Sequence, residues 1–153
     1  MNILYCGDKP MQKGILLSSM SLIKNVDEPL NIYILTVDYR EKGINYKPVD
    51  KAFAKYLKEK LNKSDIKVNI FLVDVTRYFV EELPEANMQS RFTACCMLRL
   101  FADKTDIKDR VLYLDTDVLC RKDFRDFYYQ NMDGIEIAGV SDYYGRWLFG
   151  DGY

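Results

Sequence analysis

The sequence predicts an α/β domain with a largely parallel sheet flanked by helices. Short apolar runs alternate along the chain with stretches whose apolar residues recur at helical spacing, and this alternation is typical of strand–helix–strand units. The chain has 153 residues, of which 48% are apolar and 29% charged. This is the composition of a globular domain with a sizeable core. We therefore expect residues 1–153 to form a single domain.

The first half of the chain supplies three predicted strands and two predicted helices. The strands are apolar runs bounded by turn signals, namely Asn2–Cys6, Leu30–Val37 and Ile66–Val75. The first helix, Met11–Val26, has one apolar face. It also carries small residues that suit close packing on a sheet, namely Gly14, Ser18, Ser19 and Ser21. The second helix opens at Lys47-Pro48 and has lysines on its solvent face.

The second half contains four further predicted elements. Met88–Phe101 and Asp123–Tyr129 are predicted helices, and Arg110–Leu114 and Ile135–Asp142 are predicted strands. The aromatic segment 143–153 has no following element to cover it. The domain is therefore expected to be incomplete at its C-terminal end.

Composition argues against several classes of protein. A net charge of −1 argues against a general nucleic-acid binder, although a bound metal could still attract acidic ligands. The four cysteines have no zinc or redox spacing and are interpreted as reduced thiols of a cytoplasmic protein. We expect neither a signal peptide nor a membrane span. The absence of histidine removes the commonest general base.

Three aspartates follow predicted strands: Asp8 the first, Asp115 the fourth and Asp142 the fifth. Because ligands of open α/β sheets bind beyond the carboxyl ends of the strands, we expect these side chains to share one rim. Asp8 would then contact a nucleobase or ribose, and Asp142 a sugar hydroxyl. A turn-forming aspartate without further function is an equal alternative for each of these two residues.

The motif Asp115-Thr116-Asp117 directly follows the apolar run Val-Leu-Tyr-Leu. Two carboxylates that reach a common point repel each other unless a cation or a proton lies between them. Oxygen ligands suit Mg²⁺ or Mn²⁺, which also bind diphosphates. Asp115 and Asp117 are therefore predicted metal ligands; the alternative is that they only end a strand in solvent.

Arg99 lies among apolar residues of the predicted helix 88–101 and is expected to be buried. A buried arginine needs a partner. A structural carboxylate and a phosphate, which guanidinium binds in a bidentate way, are equal candidates.

Together these residues resemble glycosyltransferase family 8, which includes bacterial lipopolysaccharide galactosyl- and glucosyltransferases and glycogenin. The segment "NILYCGDKPMQKGILLSSMSLIKN" is similar to the family's opening strand, nucleotide loop and helix. The segment "MLRLFADKTDIKDRVLYLDTDVLC" is similar to its Arg-Leu helix and Asp-x-Asp strand.

The resemblance implies a GT-A fold, a Rossmann-like fold that binds nucleotide-diphosphate sugars. It also implies a retaining transfer of a hexose from a UDP-sugar to a saccharide or lipid-linked saccharide, with Mn²⁺ or Mg²⁺ as cofactor. It places Asp115 and Asp117 on the metal and leaves the catalytic residue unassigned. It assigns nucleotide-sugar binding to Cys6, Asp8, Arg99, Asp115, Thr116, Asp117 and Asp142. A homo-oligomer and a peripheral attachment to the inner face of the membrane stay open.

The sequence departs from the family pattern at three points. Lys9-Pro10 follows the nucleotide-loop aspartate where relatives carry a polar residue, and Met97-Leu98 stand where relatives often carry tyrosine. The family continues past this segment to a late histidine of the metal site, whereas this chain stops at Tyr153 and has no histidine. We expect the chain to hold the nucleotide-binding part of the family's domain.

Two other functions fit part of the sequence. A haloacid-dehalogenase-type phosphohydrolase also has Asp-x-Asp after an apolar strand, and Asp115 would then be the nucleophile and Asp117 the general acid and base. That motif normally follows the first strand, whereas three predicted strands precede it here. The second alternative is an inactive or truncated remnant that keeps UDP-sugar binding.

Overall fold

The computed structural model describes residues 1–41, 43–83, 85, 94–107 and 110–139. Its sheet consists of β1 (Asn2–Cys6), β2 (Leu30–Thr36), β3 (Val68–Asp74) and β4 (Leu112–Tyr113), in the spatial order β3-β2-β1-β4. All three strand pairings are parallel. The predicted α/β class with a parallel sheet is confirmed.

Helices connect the strands. Among the described residues, the α-helices are α1 (Gln12–Ile23), α2 (Lys51–Leu61), α3 (Thr76–Glu81) and α4 (Arg125–Tyr128), and 3₁₀ helices span Lys9–Met11 and Ala94–Lys104. The short helix α3 is not among the elements that the sequence predicts. Within the described parts of the chain, no helix has the length and apolarity that crossing a membrane requires.

Both faces of the sheet are covered. On one face, Ile3 and Tyr5 of β1 pack into a core with α1 and α2. On the other face, Leu4 and Cys6 pack with α3 and the 3₁₀ helix Ala94–Lys104. Because both faces are buried, the strands have continuous apolar sequences, which is why they are readily recognised.

Tyr128 of α4 ties β1 to the segment that leads into β4. Its hydroxyl accepts a hydrogen bond from the Asn2 amide and donates one to the Arg110 carbonyl, both at 2.9 Å. The Arg110 guanidinium donates to the Tyr128 carbonyl at 2.6 Å. These bonds anchor β4, although that strand is only two residues long.

The strand predicted over Ile135–Asp142 is wrong for the part that the structure describes. Residues 135–139 form no strand, and Ile137 is 88% exposed. An alternating apolar run gains little from strand geometry without a partner strand and a surface to cover. Residues 140–142, the aromatic end 143–153 and the first part of the predicted helix 88–101 lie outside the described residues.

Candidate functional site

The carboxyl ends of β1 and β4 bring two of the predicted site residues to the same edge of the sheet. The Leu114 amide donates to the Leu4 carbonyl at 3.0 Å, so the chain runs beside β1 as far as Asp115. Asp8 follows the end of β1 at that edge. Asp142 lies outside the described residues.

Asp115, Thr116 and Asp117 form a tight turn. The Val118 amide closes it by donating to the Asp115 carbonyl at 3.1 Å, and Asp115 and Asp117 are both exposed. The turn therefore presents oxygen donors of the kind that Mg²⁺ and Mn²⁺ prefer. Among the residues that the structure describes, no group of three or more Cys, Asp or Glu side chains is arranged to hold a metal.

Arg99, Tyr113 and Asp115 form a contact group at this edge. The Tyr113 hydroxyl donates to Asp115 Oδ1 at 2.5 Å, and the Arg99 guanidinium carbon lies 4.2 Å from the centre of the Tyr113 ring. An Arg99 amino nitrogen is 4.0 Å from Asp115 Oδ1, and Arg99 Nε donates to the Cys96 carbonyl at 2.6 Å. Burial, followed by the bond to Asp115, raises the pKa of Tyr113. The phenol therefore keeps its proton and orients the Asp115 carboxylate.

The expectation that Arg99 is buried is wrong, because its side chain is 40% exposed. The segment forms a 3₁₀ helix, in which residues three apart share a face. Its buried stripe is Cys95, Leu98 and Phe101, and Arg99 lies just outside that stripe. An ion pair at this exposure contributes little to stability.

Asp8 and Cys6 lie at the buried end of β1. Asp8 is 7% exposed, and burial raises the pKa of its carboxyl. Cys6 is 5% exposed, and burial raises the pKa of its thiol to about 12. That thiol is neutral at pH 7 and is a poor nucleophile.

Nearly the whole chain matches one known protein family. The family model described as glycosyl transferase family 8 matches residues 2–149. The chain belongs to glycosyl transferase family 8. The family resemblance seen in the sequence is thereby confirmed.

Two solved structures share the fold of this family 8 chain. An active-site mutant of LgtC superposes with a TM-score of 0.66 at 19% identity. The galactosyltransferase LgtC in complex with donor and acceptor sugar analogues superposes with a TM-score of 0.60 at 17% identity. Each match covers 86% of this chain but only 43% of the LgtC chain. The likeness confirms the predicted GT-A fold. A separate comparison with curated proteins finds no match to the chain.

In this family 8 chain, Gly14 lies against the Asp115–Asp117 turn. The sequence predicts only that this glycine packs on the sheet. A Cβ atom at Gly14 would lie 2.5 Å from the Thr116 carbonyl oxygen and 3.1 Å from the Thr116 Cβ. Helix α1 therefore touches the Asp115–Asp117 turn itself. The sequence holds one signal of this contact, because Gly14 lies within a predicted helix. A glycine there costs about 1 kcal/mol of helix stability relative to alanine, which suggests that close packing requires it.

Asp8→Asn is expected to stabilise the folded family 8 chain at neutral pH by roughly 1 kcal/mol. Burial raises the carboxyl pKa, so the folded state holds the proton more tightly than the unfolded chain does. Stability is therefore lost as the pH rises from the unfolded pKa through the folded pKa. Asparagine carries no charge and avoids this loss. Urea denaturation at about pH 7 and about pH 3 measures the difference, which should shrink at the lower pH.

The matched control is Asp133→Asn, because Asp133 is an exposed aspartate on a distant turn. It should change stability little at either pH. A gain for Asp8→Asn that is the same size at both pH values would contradict the assignment of the effect to a buried carboxylate.

Proposed function

We propose that this chain provides the donor-binding part of a metal-dependent retaining glycosyltransferase. The reaction would transfer a hexose from a UDP-sugar to a saccharide or lipid-linked saccharide acceptor. The observation that carries the proposal is the Asp115–Asp117 turn, which lies at the carboxyl edge of the sheet with Arg99 beside it. In a family 8 chain, this edge is where a ligand of an α/β sheet is expected.

The carboxylates of Asp115 and Asp117 would hold Mn²⁺ or Mg²⁺. Both side chains are exposed on one closed turn, and carboxylate oxygens fit the preference of either cation. A bound divalent cation would supply positive charge beside the diphosphate leaving group. Thr116, between the two aspartates, would place its backbone near that diphosphate.

Arg99 would position the diphosphate or the donor sugar. Its guanidinium is held against the Tyr113 ring and by the Cys96 carbonyl, so its direction is set before a ligand arrives. A fixed guanidinium binds phosphate with little further loss of conformational entropy. Its 4.0 Å separation from Asp115 Oδ1 is too long for a tight ion pair, which leaves its N–H groups available to phosphate oxygens.

Asp8 and the backbone near Cys6 would contact uracil and ribose. The Asp8 carboxyl is buried at the end of β1, and a carboxylate there would gain from accepting N–H or O–H hydrogen bonds of a nucleoside. We propose further that Asp142, outside the described residues, contacts sugar hydroxyls. We propose that these residues bind the sugar donor and not the acceptor. LgtC, which has the same fold, has been crystallised with donor and acceptor sugar analogues.

The phosphohydrolase alternative is less favoured by the topology. The Asp-x-Asp motif follows the fourth strand along the chain, and β4 lies at an end of the described sheet rather than in its centre. Asp115 Oδ1 also accepts a hydrogen bond from Tyr113, which weakens that oxygen as a nucleophile.

Titration calorimetry with UDP, with and without Mn²⁺, tests the proposal. For the unaltered chain we expect Mn²⁺ to raise the affinity for UDP at least about tenfold, or ~1.4 kcal/mol. Asp117→Ala should remove this metal dependence without a large loss of stability, because Asp117 is exposed. Asp133→Ala, at another exposed turn, should keep it.

Two results would count against the proposal. If UDP binding to the unaltered chain does not depend on the metal, the inactive remnant is favoured. If the chain hydrolyses an aryl phosphate, loses this activity with Asp115→Asn and binds no UDP, the phosphohydrolase is favoured.

A further inference from the structure

The chain that leaves the Asp115–Asp117 turn is bound at one residue, Cys120, through both its amide and its carbonyl, by helix α1 and the residues that follow it. The Cys120 amide donates to Ser21 Oγ at 2.8 Å, and Asn25 Nδ2 donates to the Cys120 carbonyl at 3.1 Å. These bonds join residues 99 and 95 positions apart in the sequence. We call Ser21 and Asn25 the α1 clamp.

The α1 clamp is itself held in place by the helix. The Ser21 hydroxyl donates to the Ser18 carbonyl at 2.6 Å, so its lone pairs are directed to the Cys120 amide. Asn25 Nδ2 also donates to the Ser21 carbonyl at 2.8 Å. Each clamp side chain is therefore fixed by one bond within α1 and is pre-oriented for its bond to Cys120.

A second contact fixes the other end of the same segment. Gly14 lies two helical turns before Ser21 on the same face of α1, and it abuts the Thr116 backbone. Gly14 and Ser21 are about 10 Å apart along the helix axis, and the five residues from Thr116 to Cys120, four Cα-to-Cα steps, could span at most about 14 Å. The segment therefore has little slack, and the turn has few other conformations open to it.

We propose that Ser21 and Asn25 are positioning residues that hold the Asp115–Asp117 turn in the conformation that binds the divalent cation. This inference rests on the proposed function. The two exposed carboxylates repel each other when no cation is present, which favours opening of the turn. The α1 clamp resists that opening, so less ordering remains to be done when the cation binds.

The chain offers closely matched controls for both clamp residues. Ser64 donates to the carbonyl three residues earlier at 2.7 Å, as Ser21 does. Asn62 Nδ2 donates to the Lys58 carbonyl, four residues earlier, and to the Val68 carbonyl, six residues later, both at 2.8 Å. Asn25 makes the same two donations, but at the turn rather than at β3; Asn62 Oδ1 also accepts from the Val68 amide at 3.0 Å.

The test compares Ser21→Ala and Asn25→Asp with Ser64→Ala and Asn62→Asp in the full chain. The first measurement is amide hydrogen exchange of Val118 and Cys120 by NMR without metal. Both clamp variants should speed this exchange about fivefold or more, which is the effect of losing one hydrogen bond. The second measurement is Mn²⁺-dependent UDP affinity, which should fall by a similar factor. Ser21→Thr, which keeps the hydroxyl, should restore both.

The two measurements separate this inference from the proposed function. Faster exchange in the clamp variants, with slow exchange in the controls, supports the α1 clamp even if UDP binding proves independent of the metal. Unchanged exchange at Val118 would overturn the α1 clamp, whatever the chain binds. Equal losses of Mn²⁺-dependent affinity in the clamp and control variants would also overturn it, because the effect would then be general destabilisation.

Discussion

Gly14→Ala should lower the free energy of unfolding by about 1–3 kcal/mol and weaken Mn²⁺-dependent UDP binding at least about tenfold. The new Cβ would lie 2.5 Å from the Thr116 carbonyl oxygen. That oxygen is backbone and cannot swing aside as a side chain could, so either α1 or the Asp115–Asp117 turn must shift. Alanine favours a helix over glycine by about 1 kcal/mol, so any loss of stability must come from the clash. Urea denaturation and titration calorimetry measure the two effects.

The same exchange of glycine for alanine at Gly139 provides the control. A Cβ there would meet nothing within 4 Å, so Gly139→Ala should change neither stability nor binding appreciably. A Gly14→Ala chain that is as stable as the unaltered one and binds Mn²⁺ and UDP equally well would show that α1 does not constrain the turn.

Phe79→Ala should lower the free energy of unfolding by about 3–5 kcal/mol, the usual cost of removing a fully buried aromatic ring. Phe79 is 0% exposed, and its ring lies edge-on to those of Tyr39 and Tyr46, at 5.5 and 6.4 Å between centres. The Tyr46 hydroxyl accepts a hydrogen bond from the Ala94 amide at 3.2 Å. The cavity should therefore also loosen the start of the 3₁₀ helix that carries Arg99. Urea denaturation measures the stability.

The neighbouring residue serves as the control for Phe79. Val80 is 52% exposed, so Val80→Ala should stay within about 0.5 kcal/mol of the unaltered chain. A loss below about 1 kcal/mol for Phe79→Ala would mean that this face of the sheet packs more loosely than the structure shows.

The strands were largely predictable because burial of both faces makes their sequences continuously apolar. The same rule fails for Ile135–Gly139, whose alternating residues have no partner strand among the described residues. Helix type was not predictable in 94–104, since a crowded apolar segment fits a period of three as well as 3.6. The burial expected for Arg99 rested on its apolar neighbours, which do not show on which face of the helix the arginine lies.

The edge at which Asp8 and Asp115 lie followed from the parallel topology. Their assignment to nucleotide and metal binding stays a prediction, as does the single domain over 1–153. The contacts that orient Asp115 and the turn could not be predicted. The bonds from Ser21 and Asn25 to Cys120 join parts of the chain 95 or more residues apart, and sequence spacing carries no information at that range.

The bridge made by Tyr128 joins the first strand to a residue that is synthesised much later. The pairings of β1 with β2 and of β2 with β3 need only residues up to Asp74. These three strands can therefore pair early, while synthesis continues. The bond from the Asn2 amide requires a residue 126 positions later. Until that residue leaves the ribosome, the β4 side of β1 lacks this anchor. An unpaired strand edge of this kind favours chaperone binding and misassociation with other chains.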